Sequence, residues 1–218
     1  MTVLIRDDFS GSGYINGRAP DGVDAGNWVL VGGTNTNAEV AFAQMYVFGT
    51  FNARVAGPAA DSYVQMEWVA GGFGVPTVLQ IGARWQNSGG IGSGVFLEFN
   101  KAGGDPHSAG TIRVGTRDAG GTITYPIGVT PVATGFGASP WLLRLELEGT
   151  AIRVYNRGGL IASGTQSVIA AAGDYYLAST TAFNATETAG LKSFEGGSLV
   201  APVTPPFWTS LTGSREVV

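Results

Sequence analysis

The sequence predicts an all-β fold, a two-sheet antiparallel β-sandwich followed by an extended C-terminal arm. Short segments in which apolar and polar residues alternate recur along the chain, and clusters of Gly, Asn, Asp and Ser separate them. The 218 residues include 35 glycines, a density that would destabilise helix interiors throughout. The length suits one sandwich domain, so we expect a single core.

The predicted strands follow the period-two alternation of side chains between the two faces of a strand. In chain order they span residues 2–9, 27–32, 38–48, 62–70, 76–86, 94–101, 110–118, 121–128, 140–148, 151–156, 159–165, 174–181 and 190–200. Most have one apolar and one mixed face, which two packed sheets accommodate because each sheet buries one side. One face expected to point into the core comprises Leu79, Ile81, Ala83 and Trp85.

One hairpin can be predicted with its register. Residues 141–148 (WLLRLELE) and 151–156 (AIRVYN) flank a Gly-Thr dipeptide, which suits a type II′ turn because Gly stands first. This turn places Glu146 opposite Arg153 and turns the leucines of the first strand inward. Glu146, Arg153 and Tyr155 then share the solvent face, where they are candidates for binding a ligand such as a surface glycan.

The composition changes near the C-terminus and divides the chain into a sandwich, residues 1–200, and a Pro-rich arm, residues 201–218. The paired prolines of the arm cannot continue a central strand, so we expect an extended segment. Phe207, Trp208 and Leu211 give this segment apolar side chains to bury. We expect them to dock on another subunit or another protein, with Trp208 as the anchor; the alternative is that the arm folds back over its own sandwich.

Three segments resemble concanavalin A-like (laminin G-like) jelly-roll domains: the opening DDFSGSGYINGRAPDGVDAGNWVLVGG, the hairpin LLRLELEGTAIRVYNRGGLIASGTQ, and YYLASTTAF followed by GLKSFEGGSLV. The resemblance covers about residues 5–200. It implies a jelly roll in which residues 190–200 pair beside residues 2–9. Versions without a signal peptide or cysteine are frequent among tailed-phage structural proteins, and the segment PPFWTSLTG resembles that setting.

Composition argues against several classes of protein. The net charge is −4 and the 12 basic residues are scattered, so we expect no nucleic-acid partner. The absence of cysteine excludes disulfides, thiolate zinc sites and cysteine nucleophiles. No apolar run is long enough to span a membrane, and the N-terminal MTVLIRDDF lacks the features of a secretion signal. We therefore expect synthesis in a host cytoplasm, and the resemblance to tailed-phage structural proteins implies a location in the virion.

The sequence offers no clear catalytic constellation. Glycanases of this fold carry a pattern resembling E-x-D-x-x-E, and its nearest counterpart, Glu146-Leu147-Glu148, lacks the middle acid and the later glutamate. The opposing Arg153 would also hold Glu146 ionised, which is wrong for a general acid. His107 is the only histidine, and no G-x-S-x-G elbow accompanies it. These observations predict that the protein is not an enzyme.

A structural calcium ion is the one cofactor that the sequence suggests. Four aspartates with suitable oxygen ligands stand near the N-terminus: Asp7, Asp8, Asp21 and Asp24. Relatives of this fold often hold calcium near such a loop, although the dense D-x-D-x-D-G spacing is missing. The alternative is that these aspartates serve turns through hydrogen bonds to the backbone.

Three functions are compatible with these observations. The first is a non-enzymatic bacteriophage virion structural protein, a capsid decoration or tail component, which contacts other virion proteins and further copies of itself as a homo-oligomer. The second is a glycan- or host-receptor-binding module, similar to a lectin, on the same particle. The third is a glycoside hydrolase, against which the missing acid pattern argues. We expect the first.

Overall fold

The computed structural model describes residues 1–22, 26–34, 38–41, 44–47, 50–57, 60–69, 77–86, 92–101, 110–132, 141–167, 169, 171–179 and 190–199. Within these ranges the regular structure consists of β-strands alone. No helix among them is long and apolar enough to cross a membrane.

Nine strands form the first sheet, and every neighbouring pair in it is antiparallel. Its order is β14 (Gly159–Thr165), β13 (Ala151–Asn156), β12 (Trp141–Glu148), β7 (Ser62–Val69), β16 (Gly190–Ser198), β5 (Gln44–Val47), β4 (Ala38–Ala41) and β2 (Gly13–Tyr14), with β1 (Thr2–Asp7) paired to β16.

Seven strands form the second sheet, again with antiparallel neighbours. Its order is β11 (Ile123–Val132), β10 (Gly110–Arg117), β9 (Ser93–Lys101), β8 (Thr77–Gln86), β15 (Asp174–Ser179), β6 (Phe51–Val55) and β3 (Val29–Gly33).

The core lies between the two sheets. Leu143 and Leu145 of β12 face it from the nine-stranded sheet, and Leu79, Ile81 and Leu97 face it from the seven-stranded sheet. All five are fully buried, as the alternation of apolar residues requires. The predicted two-sheet antiparallel β-sandwich is therefore confirmed.

The first and last strands close the nine-stranded sheet as predicted. Strand β1 pairs with β16, with Thr2 opposite Ser198 and Asp7 opposite Phe194. The hairpin register is also confirmed, because Glu146 lies opposite Arg153. Its turn begins at Gly149 with a φ of +54°, the left-handed conformation that glycine adopts without steric cost.

The prediction that Trp85 faces the core is wrong. The pairing of β8 with β9 shifts register between Ala83 and Gln86, and Arg84 within this bulge has a φ of +57°. The shift breaks the period-two alternation, so that Trp85 packs with Phe96 in a cluster separate from the main core. A strand that was expected to bury this indole between the sheets therefore presents it on the opposite face.

Candidate functional site

The N-terminal aspartates converge on protein donors. Asp7 is fully buried and accepts hydrogen bonds from Trp28 Nε1 (2.8 Å), the Phe9 amide (2.9 Å) and the Arg18 guanidinium. Burial raises the pKa of Asp7, although these donors oppose the rise. Asp21 shares the same guanidinium, and although burial raises its pKa, hydrogen bonds and the charge of Arg18 lower it to about 2.

The carboxylate of Asp8 pairs with a different arginine, while the Asp8 amide donates a hydrogen bond to Asp21 Oδ2 (3.1 Å). Asp8 pairs with the exposed Arg6 at 3.1 Å, and Asp24 falls outside the described residues. No group of three or more acidic or histidine side chains in the described ranges has an arrangement suited to a metal ion. Calcium binding stays a prediction, while the geometry gives Asp7 and Asp21 a role in fixing the N-terminal loop through Arg18.

The hairpin residues predicted to bind a ligand lie on the outer face of the nine-stranded sheet, but their pairing differs from the expected one. Glu146 forms its ion pair with Arg144 at 2.8 Å, and Arg153 pairs with Glu148 at 2.8 Å. Tyr155 contacts Glu146 through a side-chain hydrogen bond. The expectation that Arg153 would hold Glu146 is wrong. Arg144 binds Glu146, two residues further along the same strand, and Arg153 binds Glu148, diagonally across the hairpin, instead of the directly opposite Glu146.

The arm residues Phe207, Trp208 and Leu211 lie outside the described residues, as does His107. Docking through the arm, and with it the assembly of a homo-oligomer, stays a prediction.

Sequence reasoning missed a polar row on the outer face of the seven-stranded sheet. Gln80 of β8, Glu98 of β9 and Arg113 of β10 lie side by side across three neighbouring strands. Glu98 accepts hydrogen bonds from Gln80 Nε2 (2.9 Å) and Arg113 Nε (2.6 Å), and it is only 5% exposed. The carboxylate is thus held in one orientation by two donors, and the hydrogen bond from the guanidinium raises the pKa of Arg113.

Aromatic rings border this polar row. Trp85 and Tyr176 stack with ring centroids 3.9 Å apart, and Phe96 belongs to the same buried cluster. Tyr125 of β11 meets the Phe96 ring edge to face at 6.4 Å and carries the Arg113 guanidinium 4.2 Å from its centroid. Unlike the other three rings, Tyr125 is 39% exposed, so it offers a ring surface that a ligand can reach.

Glycines make room for the rings on this face. A Cβ atom at Gly94 would run into the ring of Trp85, and one at Gly115 would run into the ring of Phe96. Gly82 lies opposite Phe96 on one side and Tyr176 on the other. Small residues therefore let large rings lie flat against the sheet, and these glycines are distributed over three consecutive strands, β8, β9 and β10.

The strands described on this face supply two carboxylates, Glu98 and Asp174. Asp174 pairs with Arg54 at 3.1 Å. Glu98 and Asp174 lie on the strands either side of β8, opposite Gln80 and Trp85 respectively. At about 3.3 Å per residue along the strand and about 4.8 Å between strands, their Cα atoms are more than about 15 Å apart. Hydrolysis by a carboxylate pair requires a separation between about 5 and 9.5 Å, so these two acids do not form such a pair.

Solved structures of glycan-acting proteins share this fold. LamA from Z. galactanivorans, solved in complex with laminaritriose and laminaritetraose, is 12% identical with a TM-score of 0.60, over 89% of this chain and 98% of its own. The Bacillus licheniformis beta-glucanase is 11% identical with a TM-score of 0.58, over 86% and 98%. Porphyranase B from Zobellia galactanivorans is 10% identical with a TM-score of 0.57, over 88% and 90%. No family model and no curated protein matches the chain.

These similarities support the jelly-roll fold that the sequence resemblance implied. They contradict the expected virion structural function, because solved structures that share the fold include a beta-glucanase, a kappa-carrageenase and a porphyranase. The prediction that the protein is not an enzyme is contradicted on the same ground. Glu146 and Glu148, the nearest counterpart of the acid pattern in the sequence, lie on the nine-stranded sheet, whereas Glu98 lies on the seven-stranded sheet.

Proposed function

We propose that this protein is carbohydrate-active and recognises a glycan chain along the outer face of the seven-stranded sheet. The observation that carries the proposal is the exposed ring of Tyr125 beside the fixed Glu98 and Arg113 side chains. Sugars present apolar C–H faces that stack on aromatic rings, while their hydroxyls need charged or polar partners held in place. Binding sites combine such aromatic surfaces with a few oriented polar groups.

The fold supports the same proposal. Proteins of this fold include LamA, which was solved with laminaritriose and laminaritetraose bound. At 12% identity that likeness extends to the fold alone, so the proposal depends on the residues of this chain. The central rings are buried, and a bound glycan would therefore contact the rim formed by Tyr125 and Arg113 rather than the stacked Trp85 and Tyr176.

Replacing Tyr125 with alanine is expected to weaken oligosaccharide binding about tenfold, since stacking on the exposed ring is lost. Titration calorimetry with laminaritetraose and with a κ-carrageenan tetrasaccharide measures the effect. The matched control is Tyr155→Ala, which removes a tyrosine from the outer face of the opposite sheet. Unchanged affinity in Tyr125→Ala together with a loss in Tyr155→Ala would place the glycan on the hairpin face instead.

Hydrolysis of the bound glycan is the second candidate function. Glu98 favours it, because Gln80 Nε2 and Arg113 Nε hold its carboxylate in one orientation, and a nucleophile or general base must be positioned in this way. Glu98→Gln is expected to abolish the release of reducing ends from any glycan that the unmodified protein degrades. Glu146→Gln is the matched control, since Glu146 is equally buried and also paired with an arginine. Equal activity in both variants would exclude Glu98 from the reaction.

A further inference from the structure

An open groove of about 510 Å³ lies where the edge strands of the two sheets, β11 and β14, approach each other. The strands are packed closely there, because a Cβ atom at Gly164 would lie 2.9 Å from Ile127 Cγ1. Six residues with hydroxyl groups line the groove: Thr116, Thr124, Tyr125, Thr150, Thr165 and Ser167.

The lining of the groove is polar but uncharged. None of the lining residues in the described structure carries a formal charge. Each hydroxyl provides one donor and two acceptor positions. The Thr116 and Thr124 hydroxyls lie 2.7 Å apart, so one donates to the other and the accepting group keeps its own proton for a ligand. Such a surface suits a neutral ligand that carries many hydroxyls.

Hydrogen bonds from buried side chains fix the segments that carry the lining residues Thr150 and Gln166. The side-chain amide of Gln166 accepts a hydrogen bond from the Ile169 amide (2.8 Å) and donates one to the Ile169 carbonyl (2.6 Å). The buried Arg84 donates to the carbonyls of Ile169 (2.9 Å) and Gly149 (2.7 Å), and Gly149 directly precedes the lining Thr150. Because these segments are already ordered, a ligand would not have to order them on binding.

Tyr125 joins the groove to the outer face of the seven-stranded sheet. Tyr125 is among the residues that line the groove, and its ring contacts Phe96 and Arg113 on that face. A chain that stacks on Tyr125 can therefore continue from the face into the groove.

We infer that this groove is a subsite for an uncharged sugar unit, so that the preferred glycan is a neutral polysaccharide rather than a sulfated one. The inference rests on the proposed function, because the sugar unit in the groove would be one end of the glycan that binds the outer face of the seven-stranded sheet. A sulfate in the groove would lose its hydration without meeting a cation, which is costly. On the adjoining face, the guanidinium of Arg113, which contacts the Tyr125 ring, is already engaged by Glu98 at 2.6 Å.

The substitution Ser167→Trp tests the inference by filling the groove from an exposed position. Ser163→Trp is the matched control, because Ser163 is an exposed serine on β14 outside the groove. In titrations with laminaritetraose we expect Ser167→Trp to weaken binding about tenfold or more, and Ser163→Trp to match the unmodified protein. Equal melting temperatures of the two variants would show that the fold is intact.

The possible failures are distinguishable. If Ser167→Trp binds laminaritetraose as tightly as Ser163→Trp while Tyr125→Ala still weakens it, the subsite is wrong and the proposed function stands. If the unmodified protein binds neither laminaritetraose nor a κ-carrageenan tetrasaccharide, the proposed function fails as well. Preferential binding of the sulfated tetrasaccharide would overturn the neutral assignment and point to Arg117, whose Nε is buried without a hydrogen-bond partner in the described structure.

Discussion

Replacing Arg84 with methionine is expected to lower the free energy of unfolding by about 3–5 kcal/mol. The guanidinium is completely buried and donates to the carbonyls of Ala60 (2.6 Å), Gly149 and Ile169, with Asp61 at 3.4 Å. Methionine would fill much of the same volume but would leave these acceptors without their donor. Urea unfolding followed by tryptophan fluorescence measures the loss.

The matched control for this prediction is Arg153→Met. Arg153 is also paired with a carboxylate, Glu148, but both side chains are well exposed and the pair is screened by solvent, so we expect no measurable change in the free energy of unfolding. A similar effect of the two substitutions would contradict the view that Arg84 holds the loops around Gly149 and Ile169 together. The comparison also separates the effect of burial on the free energy of unfolding from the effect of charge, because Arg84→Met and Arg153→Met each remove one guanidinium.

The fold could be predicted where local rules determine it. The hairpin register followed from two alternating segments and a glycine turn, and the structure places Glu146 opposite Arg153 as predicted. Strand β6 (Phe51–Val55) was missed although its burial alternates, because five residues between loops give a weak periodic signal. The face on which Trp85 lies was predicted wrongly, because the bulge at Arg84, which has a positive φ, moves the side chains that follow it on β8 to the opposite face of the sheet.

The candidate site was harder to predict, because it depends on the register between several separate strands, which alternation within one strand does not determine. Alternation in SGVFLEFN already places Phe96 and Glu98 on one face, so that signal was present. The sequence does not show that Gln80 and Arg113 flank Glu98, because these neighbours result from the pairing of β9 with β8 and β10. The only acid pattern that resembles the glycanase pattern within one strand is therefore Glu146-Leu147-Glu148, on the other sheet.

Replacing Gly82 with alanine is expected to destabilise the protein by about 1–3 kcal/mol and to disturb the ring cluster beside the proposed site. A Cβ atom there would lie 2.6 Å from the Val95 carbonyl oxygen and 3.3 Å from Phe96 Cβ. The first of these contacts is with backbone, so strand β9 would have to move rather than a side chain rotate. That movement would shift Phe96 and Glu98 together, since both are on β9.

Gly128→Ala provides the control, because Gly128 lies on β11 with nothing within 4 Å of its would-be Cβ atom, and we expect a stability change within about 0.5 kcal/mol. Chemical unfolding measures stability, and near-ultraviolet circular dichroism reports the stacking of Trp85 on Tyr176. We expect Gly82→Ala to weaken both this aromatic signal and the binding of laminaritetraose, since one strand carries Phe96 and Glu98. Full retention of both in a stable Gly82→Ala protein would contradict the close packing of β8 against β9 on which the proposed site depends.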